Sequence, residues 1–249
     1  LLGDTVQLAA TAFFHRSAPS FYMGQYFGKH YMWDNNLGQE IHSRLLGEFS
    51  LKKTRTKLRV GYDVLKNYTY FGIQNDRVQS GDNYLVQHNN LSVRQSGSPI
   101  SLLTVQLQQD FRLGIFNWQN VLTLQKSSKE YILPVPTFNA YSNLFIRFRI
   151  ARVLDVDLGV DGRYFTNYYA PEYIPGIGSF GIQETEASRT KIGNYPLLNA
   201  YANFQLQHTR FFIMFTHVNC GDGGRYFYTP HYPLNQRLLQ FGISWNFFN

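Results

Sequence analysis

Two stretches, FIRFRI at 145–150 and LDVDLGVDGR at 154–163, place all their charged residues on alternate positions of one face. Arg147 and Arg149 fall in the first, and Asp155, Asp157, Asp161 and Arg163 in the second. The same even spacing recurs upstream in Arg44 and Glu48, in Lys57, Arg59 and Asp63, and in Asp110 and Arg112. Facing rows of fixed charge can hold a transverse field that sorts ions, as charged rings do in pores. They can equally pair with one another and plug a narrow interior. Both readings stand on sequence alone. Hydrolytic chemistry would need a nucleophile, a base and an orienting group in reach of one another. His30, Asp34, His217 and His231 fall in or beside long polar segments, yet the chain carries neither GxSxG nor HExxH. They read as surface or membrane-interface side chains, not as an enzyme site. CGDGG at 220–224 lacks the Lys-Ser/Thr of a phosphate loop and reads as a flexible loop. No cofactor or metal is expected.

The elements that must position the charges are strands. Opposite the charged set run Leu144, Ile146, Phe148 and Ile150, then Leu154, Val156, Leu158 and Val160, with the period of two that puts one kind of side chain on each face. The rhythm repeats along the whole chain. Leu45, Phe49 and Leu51 oppose Arg44 and Glu48; Leu58, Val60, Tyr62 and Val64 oppose Lys57, Arg59 and Asp63; Leu103, Val105, Leu107 and Phe111 oppose Asp110 and Arg112. About ten such strands are expected, ending in RLLQFGISWNFFN, where Leu239, Phe241, Ile243, Trp245 and Phe247 form an almost wholly aromatic and aliphatic face. In water a terminal strand of that kind would be an aggregation hazard.

Composition narrows the setting. Aromatic residues reach 17% while hydrophobic residues total 44%, so the chain is aromatic without being oily overall. Its longest apolar run, FFIMF at 211–215, is far below the roughly 18–20 residues of a membrane helix. LLGDTVQLAATAFF lacks the basic start and apolar middle of a leader, which reads as a mature chain or a fragment. A single cysteine, Cys220, makes no internal disulfide. The formal charge of +7 comes without a basic run or recognition helix, so nucleic acid is not an expected partner.

Half of a soluble β-sandwich would explain any one strand. Two features of the whole chain favour a barrel in lipid: Arg and Asp gather in opposed sets on one face, and connections alternate between short (KT, GI, ARV, HTR) and long. Outer-membrane barrels show that alternation, with tight periplasmic turns and long outer loops. In lipid a sheet must close, so the last strand is expected to pair on both sides. Outer loops are expected at 16–38, 67–99, 168–196 and 219–236, and both ends of the chain on the periplasmic side. The 168–196 loop, rich in Pro and Gly, is long enough to fold into the lumen or to cap it from outside. Tyr164, Tyr168 and Tyr169 would join an outer aromatic girdle, with Trp245 and Phe247 in the inner one. Lys29, Arg77, Arg189, Lys191 and Arg225 are rim cations that would face anionic lipid or solvent.

QYFGKHYMWDNNL, GVDGRYFTNYYAPEYIPGIGSFGIQ, IGNYPLLNAYANFQLQ and TPHYPLNQRLLQFGISWNFF together resemble the carboxy-terminal part of the "putative porin" family of Bacteroidota outer membranes. The match includes loop residues such as Trp33-Asp34-Asn35 and Gly193-Asn194-Tyr195-Pro196. The resemblance implies an all-β, antiparallel transmembrane barrel, with residues 1–249 supplying about ten strands of a larger one. With the charged face it implies passive diffusion of small hydrophilic solutes; the narrow lumen that ten strands alone would enclose points instead to a plugged structural or accessory subunit of a larger outer-membrane assembly. The ending, with Phe241, Ile243, Trp245, Phe247 and Phe248, resembles the signal read by the barrel assembly machinery; the barrel reading adds outer-membrane lipid and lipopolysaccharide as expected partners, and the plugged alternative adds other outer-membrane proteins.

Overall fold

The computed structural model describes residues 6–80, 83–221 and 226–247, with the side chains of 75–80 and 83–89 outside the description. In chain order the strands are β1 (Val6–Ser17), β2 (Gln25–Phe27), β3 (Met32–Asp34), β4 (Glu40–Leu51), β5 (Thr56–Lys66), β6 (Thr69–Ser80), β7 (Asn83–Gln95), β8 (Ile100–Leu113) and β9 (Phe116–Ser127). They continue as β10 (Phe138–Ile150), β11 (Leu154–Phe165), β12 (Glu172–Ile174), β13 (Ser179–Gln183), β14 (Leu197–Leu206), β15 (Thr209–Thr216), β16 (Phe227–Thr229), β17 (Tyr232–Pro233) and β18 (Leu238–Trp245). One helical turn, α1 (Phe21–Gly24), precedes β2. No described helix is long and apolar enough to cross a membrane.

Ten of the strands form one sheet in the order β1-β4-β5-β8-β9-β10-β11-β14-β15-β18, each antiparallel to its neighbours. Successive sheet strands are therefore neighbours in space, a meander of hairpins. Its tight connections turn through the left-handed region: Gly114 has φ 59°, and Arg55, Ala151, Arg152 and Gln207 take φ of 54°, 49°, 62° and 49°. That conformation matches hairpin turns to the right-handed twist of strands, at a small steric cost wherever the residue is not glycine. All of these turns lie at one end of the sheet and all the long connections at the other.

The sequence alternation becomes two opposite faces. Leu8, Phe14, Phe111, Leu144, Val160, Ile213 and Phe241 leave their side chains open on one of them, Phe241 at 81% exposure. The buried apolar residues lie mostly elsewhere: Trp33, Phe71, Ile73, Ile174 and Ile192 belong to the long connections. A soluble sandwich would put its core against the oily face of the sheet; among the described residues no second sheet lies against it. A sheet that leaves its oily face bare and packs its loops has the pattern of a membrane-spanning sheet.

The long connections depart from the expected loops. Within 67–99, β6 and β7 form a hairpin, and within 168–196, β12 and β13 form another. Gly181, Ile182 and Gln183 of β13 lie parallel to Phe71, Gly72 and Ile73 of β6, giving one four-stranded sheet in the order β12-β13-β6-β7. Alternation was present there, in Phe71 and Ile73 and in Leu91 and Val93, but too briefly to outweigh the Gly, Asn and Asp around it. The last strand also differs from expectation. Among the described residues β18 pairs only with β15 and β1 only with β4, so the ten-stranded sheet is open at both edges.

Candidate functional site

The polar face of the sheet gathers the charged residues into cross-strand pairs. β4 and β5 place Arg44 opposite Asp63 and Glu48 opposite Arg59. Arg44 grips Asp63 with two nitrogens, at 2.7 and 3.2 Å, and His42 Nε2 lies 2.6 Å from the same carboxylate. Asp63, only 3% exposed, has its carboxylate oxygens satisfied by these partners instead of by water. Glu48 takes Arg59 at 3.0 Å and Lys57 at 2.8 Å, and Arg59 reaches on to Gln106 of β8. Opposite charges on facing positions stabilise the pairing and lock its register, since a slip of one residue would turn every charge toward lipid.

A second cluster occupies β10, β11, β14 and β15 near the tight turns. Arg147 and Asp157 join through two bonds of 2.7 Å, and Arg149 meets Asp155 at 2.5 and 2.9 Å. With Asn203, Gln205 and Arg210 they line a charged recess of about 440 Å³. Arg210 donates to Asn203 at 2.8 Å. Sequence reasoning missed Arg210, because RFFIMFTHV has no clear polar face until its register with Gln205 is known.

Toward the long connections, Asp161 is buried and accepts from Asn199 at 3.0 Å, while the Arg163 guanidinium stands 5.8 Å from the Tyr141 ring centre. Asp110 and Arg112 share the face at its turn end, and neither joins an ion pair among the described residues. Apolar groups on this wall pack on glycine: the Tyr201 ring lies over Gly159, and its hydroxyl donates to Asn143 at 2.8 Å. On the polar face Arg44, Lys57, Arg59, Arg112, Arg147, Arg149, Arg163 and Arg210 outnumber Glu48, Asp63, Asp110, Asp155, Asp157 and Asp161.

The long connections form a cap with a core of its own. Trp33 donates its indole N–H to the Tyr22 carbonyl at 2.9 Å and packs on Tyr22, Tyr26 and Phe71. Tyr22 in turn donates to the Ile177 carbonyl at 3.1 Å. Thr229 donates to the Pro171 carbonyl, and Tyr173 meets Tyr232 edge on. Lys129 bridges to Ser96 and Ser98. Every long connection is thus tied to another. Burial pushes the Tyr68 hydroxyl above its ordinary value, and Glu40 pushes it further.

Several expected surface residues are drawn into this cap. Tyr168 bridges to Ile192, and Tyr169 carries the Arg189 guanidinium 4.6 Å and the Lys191 ammonium 4.8 Å from its ring centre, so both tyrosines serve loop packing. His217 is 4% exposed, which corrects the expectation of a surface histidine: its amide donates to Asn199, its Nδ1 to the Asn235 carbonyl, and its Nε2 lies 2.8 Å from the Tyr195 hydroxyl. His231 stands 3.7 Å from Glu172, Asp34 accepts from Gln25, and His30 is exposed. Lys29 is exposed; the Arg77 side chain and Arg225 lie outside the described residues. On the terminal strand Phe241, Ile243, Trp245 and Phe247 are all exposed, and Phe248 lies outside the described residues.

A ten-stranded antiparallel meander, bare and oily on one face and charged on the other, with tight turns at one end and packed loops at the other, has the pattern of a transmembrane β-barrel wall. The fold is shared with solved barrels. The siderophore receptor PirA from Acinetobacter baumannii matches with a TM-score of 0.61 at 12% identity, over 98% of this chain and 39% of that one. A mutant of the ferric enterobactin receptor PfeA from Pseudomonas aeruginosa matches with a TM-score of 0.57 at 15% identity, over 89% of this chain and 34% of that one. The chain therefore spans well under half the length of these receptors. No curated protein matches the chain. A family profile described as "Putative porin" matches residues 1–249, and the chain belongs to that family.

Proposed function

We propose that this chain forms part of the wall of an outer-membrane pore through which small hydrophilic solutes diffuse passively, without enzymatic chemistry. The observation that carries the reading is the continuous polar face from β4 to β15, where most of the fixed charges are held in pairs and all face away from the bare apolar side. Ten strands alone would enclose a lumen that side chains nearly fill, whereas 16 or more leave a water channel, so the pore needs further strands between β18 and β1. Even with Glu40 at the edge of β4 counted, the excess of Arg and Lys over carboxylate on the wall favours small anions. The tight turns lie on the periplasmic side and the cap outside. Phe241, Ile243, Trp245, Phe247 and Phe248 are the segment offered to the assembly machinery, and lipid with lipopolysaccharide covers the oily face.

The intact protein in a planar bilayer should give stable, salt-dependent conductance steps. Replacing Arg147 by Glu should move the ion preference toward cations, and replacing Asp157 by Lys should move it toward anions. A second reading rests on the cap and on the internal neutralisation of the wall: a plugged barrel serving as a structural subunit. Folded protein that never conducts, and that co-purifies with other outer-membrane proteins, would favour this reading over the first.

A further inference from the structure

At the cap end of the wall, between the 166–196 and 217–237 connections, Arg163, Lys191, Tyr195, Tyr226, Tyr228 and Leu234 surround a recess of about 340 Å³. Phe165, Ile192 and Leu197 complete its apolar floor. A second recess of about 230 Å³ shares Arg163, Leu197, Tyr228 and Leu234 with the first and continues past Asn199 and Gln240, which lie on the polar face of β14 and β18. The path thus leads from the cap onto the pore wall.

Three properties define what fits there. No carboxylate lines either recess, while Arg163 and Lys191 bring two positive charges that no ion pair neutralises among the described residues. A carboxylate would find two donors and no repulsion. The body of the recess is aromatic and aliphatic: Tyr195 and Tyr226 stack with ring centres 3.4 Å apart at 11°. The polar tip of Tyr195 is already engaged by His217 and by the Asn219 carbonyl, so the stack offers ring surface and little further hydrogen bonding. A sugar would leave most of its hydroxyls unpaired against such walls. A flat hydrocarbon body with one anionic group matches the apolar floor and the two cations, and apolar recesses with a few convergent charges are the usual form of small-ligand sites.

We propose that this recess is a selective binding subsite for planar aromatic carboxylates, which the cap collects before they pass along the wall. This deepens the pore reading and rests on it for the passage step, while binding itself stands alone.

Titrating 2-naphthoate into the intact detergent-solubilised protein by calorimetry should give saturable binding. The neutral analogue 2-naphthylmethanol and the non-aromatic anion hexanoate should each bind at least about tenfold more weakly. Arg163→Gln and Lys191→Gln should each weaken naphthoate by about tenfold, and Tyr228→Ala tests the ring wall at an exposed position. No saturable binding to the unmodified protein, or equal affinity for naphthoate and its neutral analogue, would overturn the proposal. Conductance without naphthoate binding would refute the subsite and leave the pore; binding without conductance would do the reverse.

Discussion

Trp33→Ala should loosen the cap while leaving the sheet intact. Trp33 is 8% exposed and contacts Tyr22, Tyr26 and Phe71 with ring centres 5.8, 4.8 and 5.6 Å away. It joins the first long connection to β6 directly and, through the Tyr22–Ile177 bond, to the β12–β13 hairpin. Truncating a buried aromatic of this size costs about 3–5 kcal/mol, and here the Tyr22 carbonyl also loses its donor. If cap opening limits amide exchange, protection should fall by roughly two to three and a half orders of magnitude. Hydrogen exchange read by mass spectrometry on protein in lipid nanodiscs measures this directly. Peptides covering 69–73 and 172–183 should lose protection together, while those covering β10 and β11 should not change. Trp33→Phe should retain most of it. Unchanged protection at 172–183 would refute the idea that one aromatic core unites these connections.

Leu158→Arg puts a charge on the bare face in mid-strand and should destabilise the barrel by about 2–4 kcal/mol in urea unfolding from lipid. Asp63→Asn removes the negative charge shared by Arg44 and His42 and turns one of its two acceptor oxygens into a donor, and should cost about 1–2 kcal/mol in the same assay, as expected for a charged hydrogen-bond network with partly exposed donors. Alkaline pH should open the cap: burial raises the hydroxyls of Tyr22, Tyr68, Tyr168 and Tyr195, with Tyr26, Glu40 and Tyr226 adding to three of them. The folded cap thus holds those protons beyond the point where unfolded loops release them. Its stability is full below about pH 10 and falls as pH rises through the raised values. Protease cleavage of the long connections, followed against pH, reads this out; susceptibility that is flat up to pH 11 would contradict it.

The faces of the strands were legible because a sheet with one oily and one polar face enforces strict alternation. Even the pairs follow once the turns are placed: a hairpin turning at 52–55 sets Arg44 against Asp63 and Glu48 against Arg59, and one turning at 151–153 sets Arg147 against Asp157. The cap was not legible to the same degree. Its central contact joins β13 to β6 in parallel across a long stretch of intervening chain, and no local signal fixes such a pairing. Likewise His217 carries no periodic mark of burial. It is enclosed by Asn199, Asn235 and Tyr195, which only the tertiary fold brings together. Arg210 needed the register of β14 and β15 to be assigned to the wall.

The central claim is that the charged face of the sheet lines water that carries current, and modification of single cysteines during recording tests it most directly. In a Cys220→Ser background, Asn203→Cys lies on the charged face beside Arg147 and Asp157, and Ala202→Cys on the opposite face against Leu158 and Ile213. A charged, water-soluble methanethiosulfonate reagent should shift the conductance of open Asn203→Cys channels in discrete steps and leave Ala202→Cys channels unchanged. A shift at Ala202→Cys with none at Asn203→Cys would contradict the account.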